Sequence, residues 1–389
     1  MSLFTKIARN LHTFWTHAPS RAVGFVFALE SFLFGCWVSR IPITQTILGL
    51  NKAELGIALF GLPVGLLLSS PFAGWVTNRL GAGTTSIACT ILTALLLPIP
   101  VMMPDMWSLF AALALYGSVI SCLNVAMNTC TVVIEERDNK KIMATCHGMW
   151  SIGGMAGSML SGLIIGLNIP SVAHLCLASL VSIMFILWSR PELNKLNQRA
   201  NTDTKTGFVM PNTALLLMII LGFIAATGEG LAFDWSGVYL RDYKQATDTI
   251  AAFGFGIFMA GMTIGRFSGD TIIPIWGAKR LLTISFIVAA LGLSGCIAAP
   301  TATLALIGYL LLGLGSSLCA PVMYGASMRL EGVSPAAGLA TYTTFSFVGF
   351  LVGPPCIGLI AEAYSLHVGL GLVALLLFVG AGLIQKLRL

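Results

Sequence analysis

The sequence predicts an all-α membrane protein of twelve transmembrane helices arranged as two pseudo-symmetric six-helix bundles. Three observations predict it. Hydrophobic residues make up 57% of the 389 positions and charged residues only 9%, with a mean hydropathy of +0.90; a soluble domain needs about a quarter charged residues to cover its surface. Apolar runs of about 18 or more residues, each long enough to cross a hydrocarbon core of about 30 Å, recur along the whole chain. The two halves of the chain also repeat the same construction.

The predicted spans are 21–41, 54–77, 83–103, 107–134, 144–167 and 171–189, then 213–239, 250–274, 281–299, 303–328, 336–361 and 366–386. Residues 190–212, "RPELNKLNQRANTDTKTGFVMPN", form the one long polar stretch and read as a cytoplasmic linker. The expected division is therefore a bundle over 1–189, a linker over 190–212 and a bundle over 213–389. Placing the N-terminus inside puts fifteen Lys and Arg in cytoplasmic loops or tails, among them Lys140, Lys141, Lys279 and Arg280. Only Arg40, Lys52, Arg241 and Lys244 fall on the other side. The positive-inside rule thus favours both termini cytoplasmic. The net charge of +6 reads as topology rather than as nucleic-acid binding. The first span reads as a signal anchor, since eleven more follow it.

Nine cysteines lie almost all inside apolar runs with no Cys-x-x-Cys pair, and read as small apolar filler. No metal cluster, phosphate-binding loop or nucleophile–base arrangement stands out, so neither an enzyme nor a cofactor is expected. An ATP-driven pump would need a nucleotide domain, for which no polar stretch is long enough.

The halves echo each other in detail. "GWVTNRLGAGTT" follows the second span and "GRFSGDTIIPIWGAKR" ends the eighth; both are glycine-rich turns with basic residues. Gly61, Gly65 and Ser69 recur every four residues on the second span, as do Gly261, Gly265 and Gly269 on the eighth. Gly153, Gly157 and Ser161 mark the fifth, and Gly349 and Gly353 the eleventh. Such stripes of small residues let helix backbones approach closely in lipid, and repeated halves are a common basis for alternating access.

With these features the chain resembles the Major Facilitator Superfamily over its whole length. More closely it resembles the bacterial YbjJ-like branch, related to fucose permeases, through "WVSRIP" (37–42), "NVAMNTCTVVIEE" (124–136), "HGMWSIGGMAGS" (147–158), "EGLAFDWSGVYLRD" (229–242), "GRFSGD" (265–270) and "VGPPCIGLIAE" (352–362). The resemblance implies that the first, fourth, seventh and tenth spans line a central cavity. It also implies a location in the bacterial inner membrane. Two departures stand out. The turn after the second span carries Asn78 where the superfamily usually has an aspartate before its arginine, here Arg79. Asn124 occupies the place of a helix-4 glutamate tied to proton coupling in fucose permeases.

An ionisable group at membrane depth is costly and calls for a cavity or a partner. Glu30 is the only charge between Ala22 and Val38, and shares a helical face with Phe34, Trp37 and Ile41. It reads as a proton carrier or substrate acceptor with Trp37 as a stacking wall, or as a hydrogen-bonded residue of the bundle. Asn124 and Asn128 suit sugar-like hydroxyls, since amides both donate and accept; the plainer reading is interhelical glue. Glu135 reads as a gate or loop ion pair with Arg137 or Arg79. His147 and Trp150 open the fifth span; the histidine is either a pH-sensitive group or a structural one. The seventh span carries Glu229, Asp234, Trp235 and Tyr239, the two aromatic residues fitting either a substrate wall or an interfacial belt. Arg266 and Asp270, four apart, are expected to pair as a gate. Ser317, Pro321 and Tyr324 add polar edges and a kink to the tenth span.

No Lys or Arg lies at mid-depth on the four cavity-lining spans, which favours a neutral or zwitterionic solute over an organic phosphate. The expected function is secondary active transport of a small polar, sugar-like solute by a monomer in the bilayer, coupled to protons through Glu30 and Glu229. The competing expectation is a proton-driven exporter of drugs or amphipathic metabolites, which the methionine content favours and the absence of proline from "SIGGMAGSMLSG" disfavours. A non-transporting receptor would carry a signalling or ligand-binding domain, and the sequence offers none.

Overall fold

A computed structural model describes residues 12–197, 209–330 and 333–387, without the side chains of 270, 271, 274 and 336. All regular structure among the described residues is helical, and twelve helices are long and apolar enough to cross a membrane. They are α1 (Ala18–Leu48), α2 (Lys52–Leu80), α3 (Ala82–Met102), α4 (Met106–Asp138), α5 (Met143–Gly166) and α6 (Ser171–Leu196). After the linker come α7 (Thr213–Lys244), α8 (Asp248–Trp276), α9 (Ala278–Ala298), α10 (Ala302–Ser327), α11 (Ala337–Ala363) and α12 (Leu366–Lys386). Every predicted span corresponds to one helix. Several helices, such as α1, α4, α6 and α7, run longer than their apolar runs because polar caps and turns continue the backbone beyond the hydrocarbon-length core.

The ends are set by residues that satisfy the orphan amides of a first turn. Asp105 caps α4 by accepting from the Trp107 and Ser108 amides in a reciprocal capping box with Ser108. Asn212 caps α7, Thr247 α8, Thr301 α10 and Ser365 α12 in the same way. Gly81 and Gly277 turn the chain between α2 and α3 and between α8 and α9 at φ +87° and +75°, a left-handed conformation that glycine adopts without a Cβ penalty. Five helices are interrupted: α1 at Ser39–Arg40, α2 at Phe60, α3 at Leu97–Ile99, α10 at Ser317–Leu318 and α11 at Phe347. No apolar run marks these breaks.

The described chain forms two compact units. The first holds residues up to Leu50 and then from Ile57 through α6, and the second holds Asn51–Gly56 together with everything from α7 onward. The first turn of α2 thus belongs to the packing of the second unit. There Lys52 Nζ lies 3.4 Å from Asp242, and its backbone N–H donates to Glu362 at 3.0 Å.

Within the first unit α1 packs on α5 and α2 on α4. A Cβ on Gly153 would overlap the Ala28 carbonyl, and one on Gly65 would overlap that of Ala114. These backbones touch because no side chain separates them. The second unit repeats both pairings, with α7 on α11 through Gly349 and α8 on α10 through Gly261 and Gly313. The glycine stripes therefore mark equivalent helix pairs in each half.

At the end of the first unit from which the linker leaves, Arg137 pairs with Asp138 at 2.8 Å and donates to the Lys195 carbonyl. Asp138 also meets His17 at 3.3 Å. Partial burial and the nearby positive charge of Lys140 hold His17 below its ordinary pKa.

Candidate functional site

In the first unit the centre of the polar interior is Glu30. Only 4% of its surface is exposed, and its Oε2 accepts a hydrogen bond from Trp150 Nε1 across the α1–α5 contact. Burial strips water from a carboxyl group, so a donor at this position offsets a cost that the apolar helix cannot. The close backbone approach at Gly153 and Gly157 lets the indole reach the carboxylate. His147, one turn before Trp150, is exposed and meets the Phe27 ring edge-on at 5.3 Å.

Asn124 and Asn128 are both half-buried on α4. Their Nδ2 groups donate to the carbonyls one turn earlier, at 3.4 Å to Ile120 and 2.8 Å to Asn124. Neither bridges two helices through these bonds, so the interhelical-glue reading finds no support in them. Each retains a side-chain carbonyl without a partner among the described residues.

Three expectations are corrected, and a fourth falls outside the described residues. Trp37 shares the Glu30 face but only 2% of it is exposed, so it presents no stacking wall. Trp235 is fully buried, and its Nε1 has no hydrogen-bond partner among the described residues; it belongs to neither an interfacial belt nor an open wall. Glu135 does not form the expected ion pair with Arg137 or Arg79. It accepts from the Ile142 and Met143 amides at 2.7 and 2.9 Å and so caps the start of α5, while Arg137 turns to Asp138 and Arg79 lies over the Trp75 ring at 5.3 Å. Arg266 was expected at a gate with Asp270; the Asp270 side chain lies outside the described residues. Arg266 lies within electrostatic reach of Glu229 and Tyr324. Asn78 is half-buried at the end of α2.

The second unit thus holds a constellation that the sequence did not assemble. Phe233, one turn after Glu229, meets Phe258 of α8 edge-on at 5.8 Å and Phe350 of α11 at 5.7 Å. Two turns beyond Phe258 on the antiparallel α8 is Arg266, whose long side chain reaches back toward the level of Glu229. Tyr324 of α10 sits edge-on to Tyr342 of α11 at 5.7 Å, also within reach of Glu229. Glu229, Arg266 and Tyr324 are all half-buried rather than sealed. Asp234 is half-buried too, with no partner among the described residues. Sequence reasoning placed Arg266 only at a gate and not near Glu229, because it assigned the polar interior to the first, fourth, seventh and tenth spans. The four-residue spacing of Phe233 and Glu229 was the available signal.

Buried polar groups also occupy the other end of the first unit. Arg40, in the interruption of α1, donates through Nε to His174 Nδ1 at 3.2 Å and through a terminal N–H to the Ile169 carbonyl at 3.3 Å. Since arginine only donates, His174 carries its proton on Nε2, which faces Ser161 Oγ at 3.3 Å. Ser161 in turn donates to the Gly157 carbonyl at 2.6 Å. This chain ties α1, α5 and α6 together.

Two units with matching helix pairs, twelve membrane-length helices and carboxylates enclosed among them define a multi-pass membrane transport protein. The chain belongs to the Major Facilitator Superfamily, whose family model matches residues 23–330. It is 30% identical over 353 residues to an uncharacterized MFS-type transporter of Yersinia pestis, covering 90% of this chain and 91% of that one. It is 31% identical over 367 residues to the membrane protein MosC of Rhizobium meliloti, covering 93% and 87%. Among solved structures it superposes on a mutant of the nucleoside transporter NupG with a TM-score of 0.76 at 14% identity, over 95% of this chain and 99% of that one. The fucose:proton symporter FucP of E. coli, also as a mutant, gives 0.59 at 16% identity over 92% and 98%. At these identities the two structures speak for the fold.

Proposed function

We propose that this transporter moves a small polar solute, neutral or zwitterionic and sugar-like in its hydroxyl and amide chemistry, by proton-coupled alternating access. Glu30 is the principal proton carrier and Glu229 the second. The observation that carries the reading is that each unit holds a carboxylate inside a membrane-length helix with a polar partner on a neighbouring helix: Glu30 accepts from Trp150, and Glu229 lies within electrostatic reach of Arg266. A carboxylate so placed exchanges a proton or a solute hydroxyl for that partner as the helices move. Asn124 and Asn128, with unused side-chain carbonyls, supply further contacts for hydroxyl groups. The structural neighbours NupG, a nucleoside transporter, and FucP, a fucose:proton symporter, are consistent with a polar solute. The proposal includes a monomer in the bacterial inner membrane with both termini cytoplasmic, as the basic loops favour, and membership of the fucose-permease-related branch.

A thermal-shift screen of the purified protein against sugars, nucleosides, amino acids and lipophilic cations tests the substrate class. Stabilisation by a polar neutral or zwitterionic solute, followed by its uptake into proteoliposomes, is the expected result. Stabilisation by lipophilic cations alone would transfer the protein to the drug-exporter class.

A further inference from the structure

Where α8 turns into α9, a groove of about 640 Å³ opens beside the end of α12, lined by Trp276, Lys279, Arg280, Thr283, Ile284 and Gln385 among others. It lies apart from Glu30 and Glu229 in the chain, and the transport reading makes no use of it. Two cations line it and, among the described residues, no carboxylate does. The polar frame is already hydrogen-bonded internally. Lys279 Nζ donates to the Gln385 and Leu387 carbonyls at 2.7 and 3.0 Å, closing the end of α12, and Gln385 Nε2 donates to Thr283 Oγ1 at 2.9 Å.

Arg280 differs from its neighbours. Its guanidinium lies over the Trp276 ring at 5.8 Å and has no carboxylate partner among the described residues. Stacking fixes the plane of a guanidinium and leaves its edge N–H groups free for an oxyanion, the geometry that suits a phosphate. The adjoining surface is apolar: Trp276 is 46% exposed and Ile275 71%. An exposed tryptophan at the end of a membrane-length helix marks the level of the lipid headgroups.

We infer that this groove is a binding site for the phosphate of an anionic phospholipid, with Arg280 and Lys279 facing the headgroup and Trp276 and Ile275 facing the first part of the acyl chains. A soluble phosphate would have no use for the apolar rim, which commits the site to a lipid. The equivalent turn of the first unit provides an internal contrast. It has the same tryptophan–arginine stack, Arg79 over Trp75 at 5.3 Å, and the same left-handed glycine. But Ala82 and Gly83 follow Gly81 where Lys279 and Arg280 stand close after Gly277. One cation there stands against two on the α8–α9 side, so the lipid preference resides mainly in the second unit.

The test uses the full-length protein in phosphatidylcholine nanodiscs, titrated with phosphatidylglycerol and read by native mass spectrometry as retained lipid. Parallel samples receive inorganic phosphate. Wild type is expected to retain phosphatidylglycerol over phosphatidylcholine. Arg280→Gln is expected to weaken that preference about fivefold, equivalent to about 1 kcal/mol for one basic residue at an anionic surface. Arg280→Lys, which keeps the charge, should recover most of it, and Arg79→Gln should change it less than Arg280→Gln. Equal retention of the two lipids by wild type, no effect of Arg280→Gln in a protein of unchanged stability, or competition by millimolar inorganic phosphate would each overturn the assignment.

Discussion

Adding a single methyl group at Gly153 is a sensitive probe of how this molecule holds its polar interior. A Cβ there would stand 2.8 Å from both the carbonyl carbon and the Cα of Ala28, and closer still to the oxygen. Carbon atoms in contact prefer about 3.5–4.0 Å, so α1 and α5 must separate by about 1 Å. Both neighbours are backbone, which cannot rotate away as a side chain would. Forcing extra volume into a packed site costs about 1–3 kcal/mol. Gly74 of α2 is the control, because a Cβ there meets nothing within 4 Å. Replacing an unneeded helical glycine by alanine gains about 0.5–1 kcal/mol. That gain is common to both sites, so the two variants should differ by about 1–3 kcal/mol, with Gly74→Ala the more stable. Thermal unfolding of the purified proteins in one detergent reads the difference. The separation also pulls Trp150 from Glu30, so Gly153→Ala should lose transport beyond its loss of stability. Equal melting temperatures for the two alanine variants would refute the close packing of α1 on α5.

Three further outcomes follow from the same geometry. Trp150→Phe keeps the ring but removes the N–H that Glu30 accepts, and an unmet buried partner costs about 1–3 kcal/mol; proton-driven accumulation should fall, while Trp188→Phe, at an exposed site, should leave it unchanged. Glu135→Ala removes the acceptor for two amides at the start of α5 and should destabilise by about 0.5–2 kcal/mol, with Glu135→Gln intermediate, as denaturation of the purified protein will measure. Hydrogen bonds from the Ser108 amide and hydroxyl hold Asp105 below the usual carboxylate range. Its cap on α4 is thus intact above the unfolded-state value and is lost as pH falls through the lower folded one; Asp105→Asn should flatten the acid limb of the stability–pH curve.

The twelve spans were legible because membrane-length helices must be apolar for about twenty residues, a signal that needs no tertiary information. The glycine stripes were legible too, since Gly61 and Gly65 on one helix mirror Gly261 and Gly265 on another. The partners were not. Glu30 and Trp150 are 120 positions apart, and both stood out singly, but nothing in either neighbourhood states that α1 and α5 touch at that level. Arg266 was hidden for a different reason. Asp270, four residues on, offered an i,i+4 partner that drew attention along the helix, and nothing local states that Arg266 also comes within electrostatic reach of Glu229 on another helix. Glu135 likewise has arginines nearby in sequence, yet the exposed amides at the start of α5 are closer in space. The helix breaks at Ser39–Arg40 and Phe347 left no mark in the apolar runs; at the first, Pro42 opens the segment that follows, a local signal that a search for apolar length passes over.

The central claim is that Glu30 carries the coupled proton, and the most direct test is Glu30→Gln in proteoliposomes loaded with the solute that stabilises the protein. Glutamine keeps the shape and can still accept from Trp150, but it cannot titrate. The account predicts that a pH gradient no longer drives accumulation, while solute binding and counterflow exchange persist. Undiminished proton-driven accumulation in this variant would contradict the claim and leave Glu30 as a buried residue that joins α1 to α5.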